Sequence, residues 1–385
     1  MPDLEEIENL TKKLINFNTE NFDDKPSGYT LELLEFVQRL LMDAGIKSQI
    51  YEYELERIVD GEKISLGSRG ILLSGYDDKK PIVLLQGHAD TVPIARKFEG
   101  KNCLVEEGVI FGRGAVDMKS SLAAMIMTVI KLKEDRNLLY QPVLLITSDE
   151  EAGSFAGIKE FIKNYKKTKP DIRCAICGEA TGLAVKHDFL GAMYLKFHFT
   201  GKSGHAANKN QGDNAIEKAI PFLNDLVRFQ GGLLKQKNAL GQAVMNIGTI
   251  RGGEKVNQIP TTCSIEVSLR TIKENSIYEK ELSRLAKKNG GRMEKVFSYD
   301  PTRISSEENL IRSLKKSMGR ESKQGAIMRE FTEATLLNQS GIKTIVFGPG
   351  DPLFNHSDEE RIKTRDIARY QDVLEKLIVG LGQPD

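Results

Sequence analysis

Two histidine–acid pairings and one pair of adjacent glutamates are the residues of this sequence best suited to chemistry. "GHADTVP" (87–93) sets His88 two residues before Asp90, directly after the apolar run "PIVLLQ" (81–86). Residues two apart in an extended chain face the same way, so Asp90 can hold one imidazole nitrogen while the other binds a metal. "SDEE" (148–151) follows a second apolar run, "PVLLIT" (142–147), and ends in Glu150 and Glu151. Adjacent side chains diverge, so these two acids either divide a task or form a solvated turn. "FGRGAVDMKSS" (111–121) carries Asp117 just before a helix, "GEAT" (178–181) carries Glu179, and "NHSDEE" (355–360) carries His356.

Together His88, Asp117, Glu151, Glu179 and His356 offer two imidazoles and three carboxylates. One shared carboxylate, with one imidazole and one terminal carboxylate per ion, fills a site for two cations. Mixed nitrogen and oxygen donors suit two Zn²⁺, with Co²⁺ or Mn²⁺ as substitutes. Glu151 would then be a ligand and Glu150 a general base. A divalent cation brings the pKa of its water toward ~7, and Glu150 would take that proton and pass it to the leaving nitrogen. The glycines raise a phosphate cradle as an alternative. Gly112 and Gly114 lack a third glycine, however, and no GxxxxGK[ST] occurs, which argues against a nucleotide site.

The elements that must position these residues follow from the apolar pattern. "PIVLLQ", "PVLLIT" and "RCAICG" (173–178) are short apolar runs bounded by turn signals, as buried parallel strands are. "SSLAAMIMTVIKLKE" (120–134) and "FAGIKEFIKNY" (155–165) read as the intervening helices. This alternation predicts an α/β domain, a sheet with helices on both faces. From about residue 188 the grammar becomes β-α-β-β-α-β, through "AMYLKFHFTG", "GDNAIEKAIPFLNDLVRF", "AVMNIGTI", "TCSIEVSLRTI", "NSIYEKELSRLAKK" and "MEKVFSY". That order is ferredoxin-like. Asp213 or Asn214 is available to cap the first of its helices. The tail resumes the first pattern, so an α+β domain at 188–296 is expected inside a host of residues 1–187 and 297–385.

At 385 residues, the chain has 40% hydrophobic residues, 28% charged residues and net charge +1, an ordinary globular profile. No basic block supports nucleic-acid binding, and no run approaches the ~20 apolar residues of a membrane span. The N-terminus lacks an apolar signal core, so a cytoplasmic location is expected. Cys174 and Cys177 match CxxC without a second pair or flanking histidine, and read as buried free thiols.

As a set, "GHADTVP", "GRGAVDMKSS", "SDEEAGS", "GEAT", "GKSGHAA", "GDNAI", "VNQIP" and "NHSDEE" resemble the dinuclear-zinc amidohydrolases, in order and over nearly the whole chain. That group includes succinyl-diaminopimelate desuccinylase, acetylornithine deacetylase, aminoacylase and the glutamate-releasing carboxypeptidase. The resemblance implies a zinc-peptidase-like catalytic domain with a mixed sheet, interrupted by a ferredoxin-like lid that also dimerises. It pairs His88 with Glu179 on one metal and Glu151 with His356 on the other, with Asp117 between them. It makes Glu150 the general base and Asp90 the residue that orients His88, and it implies a cis peptide bond after Asp117. It implies that His205 reaches across a dimer interface to stabilise an oxyanion, and that Asn257 and Arg270 contact the substrate carboxylate. Thr332 and Gly348 fall near substrate-contacting positions. His198 and His187 match no ligand position.

Two departures bear on specificity. Desuccinylases carry Arg-Arg-Gly on the approach to the lid, where this chain reads "FLG" (189–191), and Glu333 stands where relatives often have Asp. The expected activity is hydrolysis of an N-acyl-α-amino acid by a homodimer acting on small molecules. A di- or carboxypeptidase is the alternative, and a non-catalytic binding protein on this fold the distant one.

Overall fold

The computed structural model describes residues 2–21, 30–59, 62–77, 79–94, 103–319 and 325–382. The chain forms two compact units: Met1–His187 with Ile304–Ala326 and Thr332–Asp385, and Asp188–Arg303 with Ile327–Phe331.

The first unit is built on a six-stranded sheet in the order Ser48–Val59, Glu62–Ser74, Gln141–Thr147, Ile82–His88, Ile172–Cys177, Thr344–Val346. The last four strands run parallel, and the first two join them as an antiparallel pair. Ile82–His88 is buried along its whole length, which is why its sequence shows no polar alternation. Helix Lys119–Leu132 packs on one face, where Leu122 lies close against Gly87. Helix Glu333–Gln339 packs on the other, where Glu333 meets the Gln86 side chain. Alternate residues of one strand thus meet helices on opposite faces, as the period of two requires.

Connectivity then fixes where a site can form. From Ile82–His88 the chain passes through Lys119–Leu132 to a strand on one side. It then returns through Ala156–Thr168 to Ile172–Cys177 on the other side. Such a reversal leaves a crevice at the carboxyl ends of the strands, where open sheets hold ligands.

In the second unit, four antiparallel strands lie in the order Val244–Gly252, Thr262–Thr271, Gly191–Thr200, Arg292–Tyr299. Helices Ala215–Leu233 and Asn275–Lys288 complete the β-α-β-β-α-β series. Asn214 caps the first helix, its side chain accepting from the Ile216 and Glu217 amides at 2.9 and 3.2 Å. The strand Gly191–Thr200 alternates buried and exposed residues, and its inward Phe197 and Phe199 pack on Phe222 at centroid distances of 4.6 and 5.3 Å. Short pairs of Asp188–Phe189 with Thr302–Arg303 and with Ile327–Met328 draw residues beyond 296 into this unit.

All four cysteines are free, with Cys174, Cys177 and Cys263 buried. Among the described residues no helix is long and apolar enough to cross a membrane. Phe222 anchors the aromatic core of the second unit. Phe222→Ala is expected to destabilise the folded protein by about 3–5 kcal/mol, the usual loss for a buried phenylalanine, read from the shift of its urea unfolding transition.

Candidate metal centre

Four strand ends and one loop converge at the edge of the parallel sheet. His88 is the last residue of its strand, Glu150 and Glu151 follow Gln141–Thr147, and Glu179 follows Ile172–Cys177. His356 follows Thr344–Val346 after a short helical turn, Pro352–Phe354. Asp117 ends the glycine-rich approach to helix Lys119–Leu132. On that approach Gly114 holds φ +84, and a Cβ there would lie 3.0 Å from Lys119 and Thr91, so both backbone and space require glycine. The Asp117–Met118 peptide bond is cis.

The side chains form two groups that share Asp117. His88, Asp117 and Glu179 make one, and Asp117, Glu151 and His356 the other, each with its ligand atoms within 4.8 Å of one another. His88 Nε2 lies 3.1 Å from Asp117 Oδ1 and 3.7 Å from Glu179 Oε1. His356 Nε2 lies 3.3 Å from Asp117 Oδ2 and 3.1 Å from Glu151 Oε2. Each oxygen of Asp117 therefore faces a different imidazole, the arrangement a carboxylate needs to lie between two cations. The donor set fits divalent ions that accept both nitrogen and oxygen.

Burial and like charge make this cluster electrostatically costly. Burial pushes the Glu179 carboxyl up to about 7, with Asp117 adding to the shift and His88 opposing it. Glu151 is raised by burial and by Asp117, against the pull of His356. Burial also works against ionised Asp117, but His356 and His88 outweigh it and hold that carboxyl well below the usual range. His356 rises to about 10 through its hydrogen bonds to Asp117 and Glu151. Burial holds Glu150 well above the ordinary carboxylate range, and Glu179 and Glu151 reinforce the shift while His88 opposes it.

Further buried acids organise the loops without joining either group. His88 Nδ1 lies 2.9 Å from the main-chain oxygen of Asp90 and 3.5 Å from its carboxylate. The Asp90 carboxylate instead accepts from the Glu150 and Glu151 amides, at 3.2 and 3.0 Å, and from Asn21 Nδ2 at 2.9 Å. Asp149 accepts from the Ala156 and Gly157 amides, fixing the start of the next helix. Glu333, fully buried beneath the edge, accepts from Thr147 Oγ1 at 2.6 Å and from Gln86. The sequence reading gave Asp149 no role, and its place inside a run of acids hid it.

The remaining candidates have their own surroundings. Thr332 is buried, and its hydroxyl has no hydrogen-bond partner among the described residues. Gly348 packs on the backbone beside Glu179, and a Cβ there would meet the Gly178 and Glu179 carbonyl oxygens at 2.3 and 2.4 Å. His205, Asn257 and Arg270 belong to the second unit. His205 is exposed, and its Nδ1 accepts from the Ala207 amide at 3.2 Å, so the neutral ring carries its proton on Nε2. The Asn257 carbonyl accepts from the Ala206 amide. Arg270 donates through Nε to the Arg329 carbonyl at 3.2 Å. His198 pairs with Glu294 at 2.7 Å, and His187 Nδ1 lies 3.0 Å from the Ile304 carbonyl oxygen, so neither joins the cluster.

A family model described as peptidase family M20/M25/M40 matches residues 84–379, well over half of the chain. The chain belongs to this peptidase family. This M20 protein is 27% identical over 362 residues to the acetylornithine deacetylase of Pasteurella multocida (strain Pm70), with 90% of each chain covered. It is 23% identical over 407 residues to a protein of Staphylococcus aureus (strain N315) named as a probable succinyl-diaminopimelate desuccinylase, with 95% of each covered. Its fold is similar to that of the M20 family metallo-carboxypeptidase Sso-CP2 from Sulfolobus solfataricus, with a TM-score of 0.74, 15% identity, and 97% and 98% of the two chains covered. The M20 chain is thus a hydrolase, built as a mixed α/β protein.

Sharing of Asp117 sets an expectation for metal content. Metal analysis after dialysis against Zn²⁺ should give two ions per wild-type chain, one for each group. His356→Ala should leave about one ion and Asp117→Ala none, since only Asp117 serves both.

Proposed function

We propose that the protein is a cytoplasmic, homodimeric hydrolase that cleaves the amide bond of an N-acyl-α-amino acid with the help of two Zn²⁺. His88 and Glu179 would hold one ion, Glu151 and His356 the other, and Asp117 both. Bound there, the ions supply Lewis-acid polarisation of the scissile carbonyl and make water acidic enough to attack near neutral pH. The observation that carries this reading is the pair of three-residue groups with one aspartate in common.

Glu150 acts as the proton carrier. It stands next to a ligand residue without belonging to either group, and its raised affinity for a proton suits a base that must later act as an acid. It takes a proton from the attacking water and returns it to the leaving nitrogen. Asp90 supports this work by fixing the Glu150 and Glu151 backbone and by lying against His88 Nδ1. His205, with its proton on Nε2, serves as the donor to the oxygen that gains charge. Arg270 and Asn257 bind the substrate carboxylate, a task suited to the planar guanidinium fork. Thr332 and Gly348 shape the substrate side of the site.

Homodimerisation is supported by the outer face of helix Ala215–Leu233, where Ile220 and Val227 are exposed, continued by Leu234 just beyond it. The strand Val244–Gly252 beside it lies at a sheet edge, with exposed Val244 and Ile250. A sheet edge that is unpaired among the described residues, next to an apolar stripe, suits pairing with a second copy. Free thiols suit a reducing compartment. A peptidase reading is favoured by "FLG" in place of the basic approach of desuccinylases, and by the fold shared with the metallo-carboxypeptidase.

A side-by-side assay of acetylornithine, succinyl-diaminopimelate, acetyl-lysine and dipeptides separates these substrates. Chelation should abolish turnover and Zn²⁺ or Co²⁺ restore it; activity that persists without metal ends the proposal. Glu150→Gln should lower kcat by ~10²–10⁴ while leaving the metal content intact. Val227→Glu should convert a dimer to a monomer in sedimentation analysis.

A further inference from the structure

Glu360 lies four residues beyond His356, at the end of the loop that carries it. It is fully buried, yet it belongs to neither ligand group. Its Oε1 accepts from the Val116 amide at 2.8 Å and the Asp117 amide at 3.1 Å. Its Oε2 accepts from Arg113 Nη1 at 2.6 Å, and its main-chain oxygen accepts from the Gly112 amide at 3.2 Å. Arg113 is held in turn by the Pro93 carbonyl, to which its Nε donates at 2.7 Å. The stretch from Gly112 to Asp117 is therefore folded around one carboxylate.

An aspartate in a glycine-rich loop ordinarily spends its own oxygens on nearby backbone N–H groups, in the turns that Asp favours. Here those donors are already taken. The hydrogen bonds of the Asp117 carboxylate run to His88 and His356. We propose that Glu360 is a positioning residue for Asp117: by claiming the backbone donors of the loop, it keeps both oxygens of the shared carboxylate for cations. Asp90 does the same for Glu150 and Glu151. One short segment thus delivers the ligand His356 and the residue that prepares its partner ligand. The inference rests on the two-cation reading of the site, and it adds a residue outside the ligand set whose loss weakens cation binding.

Two measurements test it. In the metal-free wild-type protein, hydrogen exchange should find the Val116 and Asp117 amides protected before any cation is added. Fast exchange that slows only on addition of Zn²⁺ would mean that the ion organises the loop, and would overturn the proposal. In the second, calorimetric titration with Zn²⁺ or Co²⁺ compares Glu360→Ala and Glu360→Gln with wild type. Glu360→Ala should bind ~10–100-fold more weakly, the usual effect of losing a residue that orients a ligand. Glu360→Gln, which keeps one oxygen for the two amides, should recover most of that loss. A merely structural role would lower the melting temperature and leave the affinity of the folded fraction unchanged, and that result also overturns the proposal. If Glu360→Ala does not fold, the exchange measurement decides. A wild-type protein that takes up no cation would instead refute the two-cation reading, while the exchange result still stands on its own.

Discussion

The structure turns on crowded negative charge. Four carboxyl groups, from Asp117, Glu150, Glu151 and Glu179, meet at the edge of one sheet around two imidazoles, His88 and His356. Burial drives Glu150, Glu151 and Glu179 toward the protonated form, and Asp117 stays ionised because His88 and His356 flank it. A protein gains nothing in stability from such a cluster, since desolvated like charges cost free energy that packing must offset. Its sense lies in what two divalent ions would do there, which is to neutralise the excess and use it.

The fold makes this crowding possible at small cost to the backbone. Parallel strands end together, so residues far apart in sequence arrive at one edge without long loops. The loops that remain are held by acids outside the ligand set. Asp90 and Asp149 lock the SDEE turn, and Glu360 locks the approach to Asp117. Charge thus serves twice, once in the cluster itself and once in shaping the loops around it.

Much of this was legible in the sequence because most of the candidate ligands lie just beyond a strand end. His88, Glu179 and His356 each follow an apolar run, and five histidines in 385 residues leave few candidates. The inserted unit was legible from alternation, as Phe197 and Phe199 flank His198. Of the supporting acids, Asp90 was legible beside His88, but Asp149 and Glu360 were not. Glu360 and Val116 lie 244 residues apart, and nothing local tells a buried acceptor from a solvated acid. The long pair Ser48–Val59 and Glu62–Ser74 escaped because half of "SQIYEYELERIV" is polar, so it lacks the continuous apolar run that marks the central strands, as befits a strand at a sheet edge. The short strand Ile327–Met328 was hidden for a different reason, since two residues carry no period to read.

The first unit is also discontinuous, and this governs how the molecule is made. Its strand Thr344–Val346, like His356, is synthesised only after the whole of Asp188–Arg303. A nascent chain contains His88, Asp117 and Glu179 first, but it lacks the second imidazole, and Glu360 that holds the Asp117 loop, until the segment after Asp188–Arg303 has been made. The proposed two-cation centre would therefore be complete only after the second unit has been made.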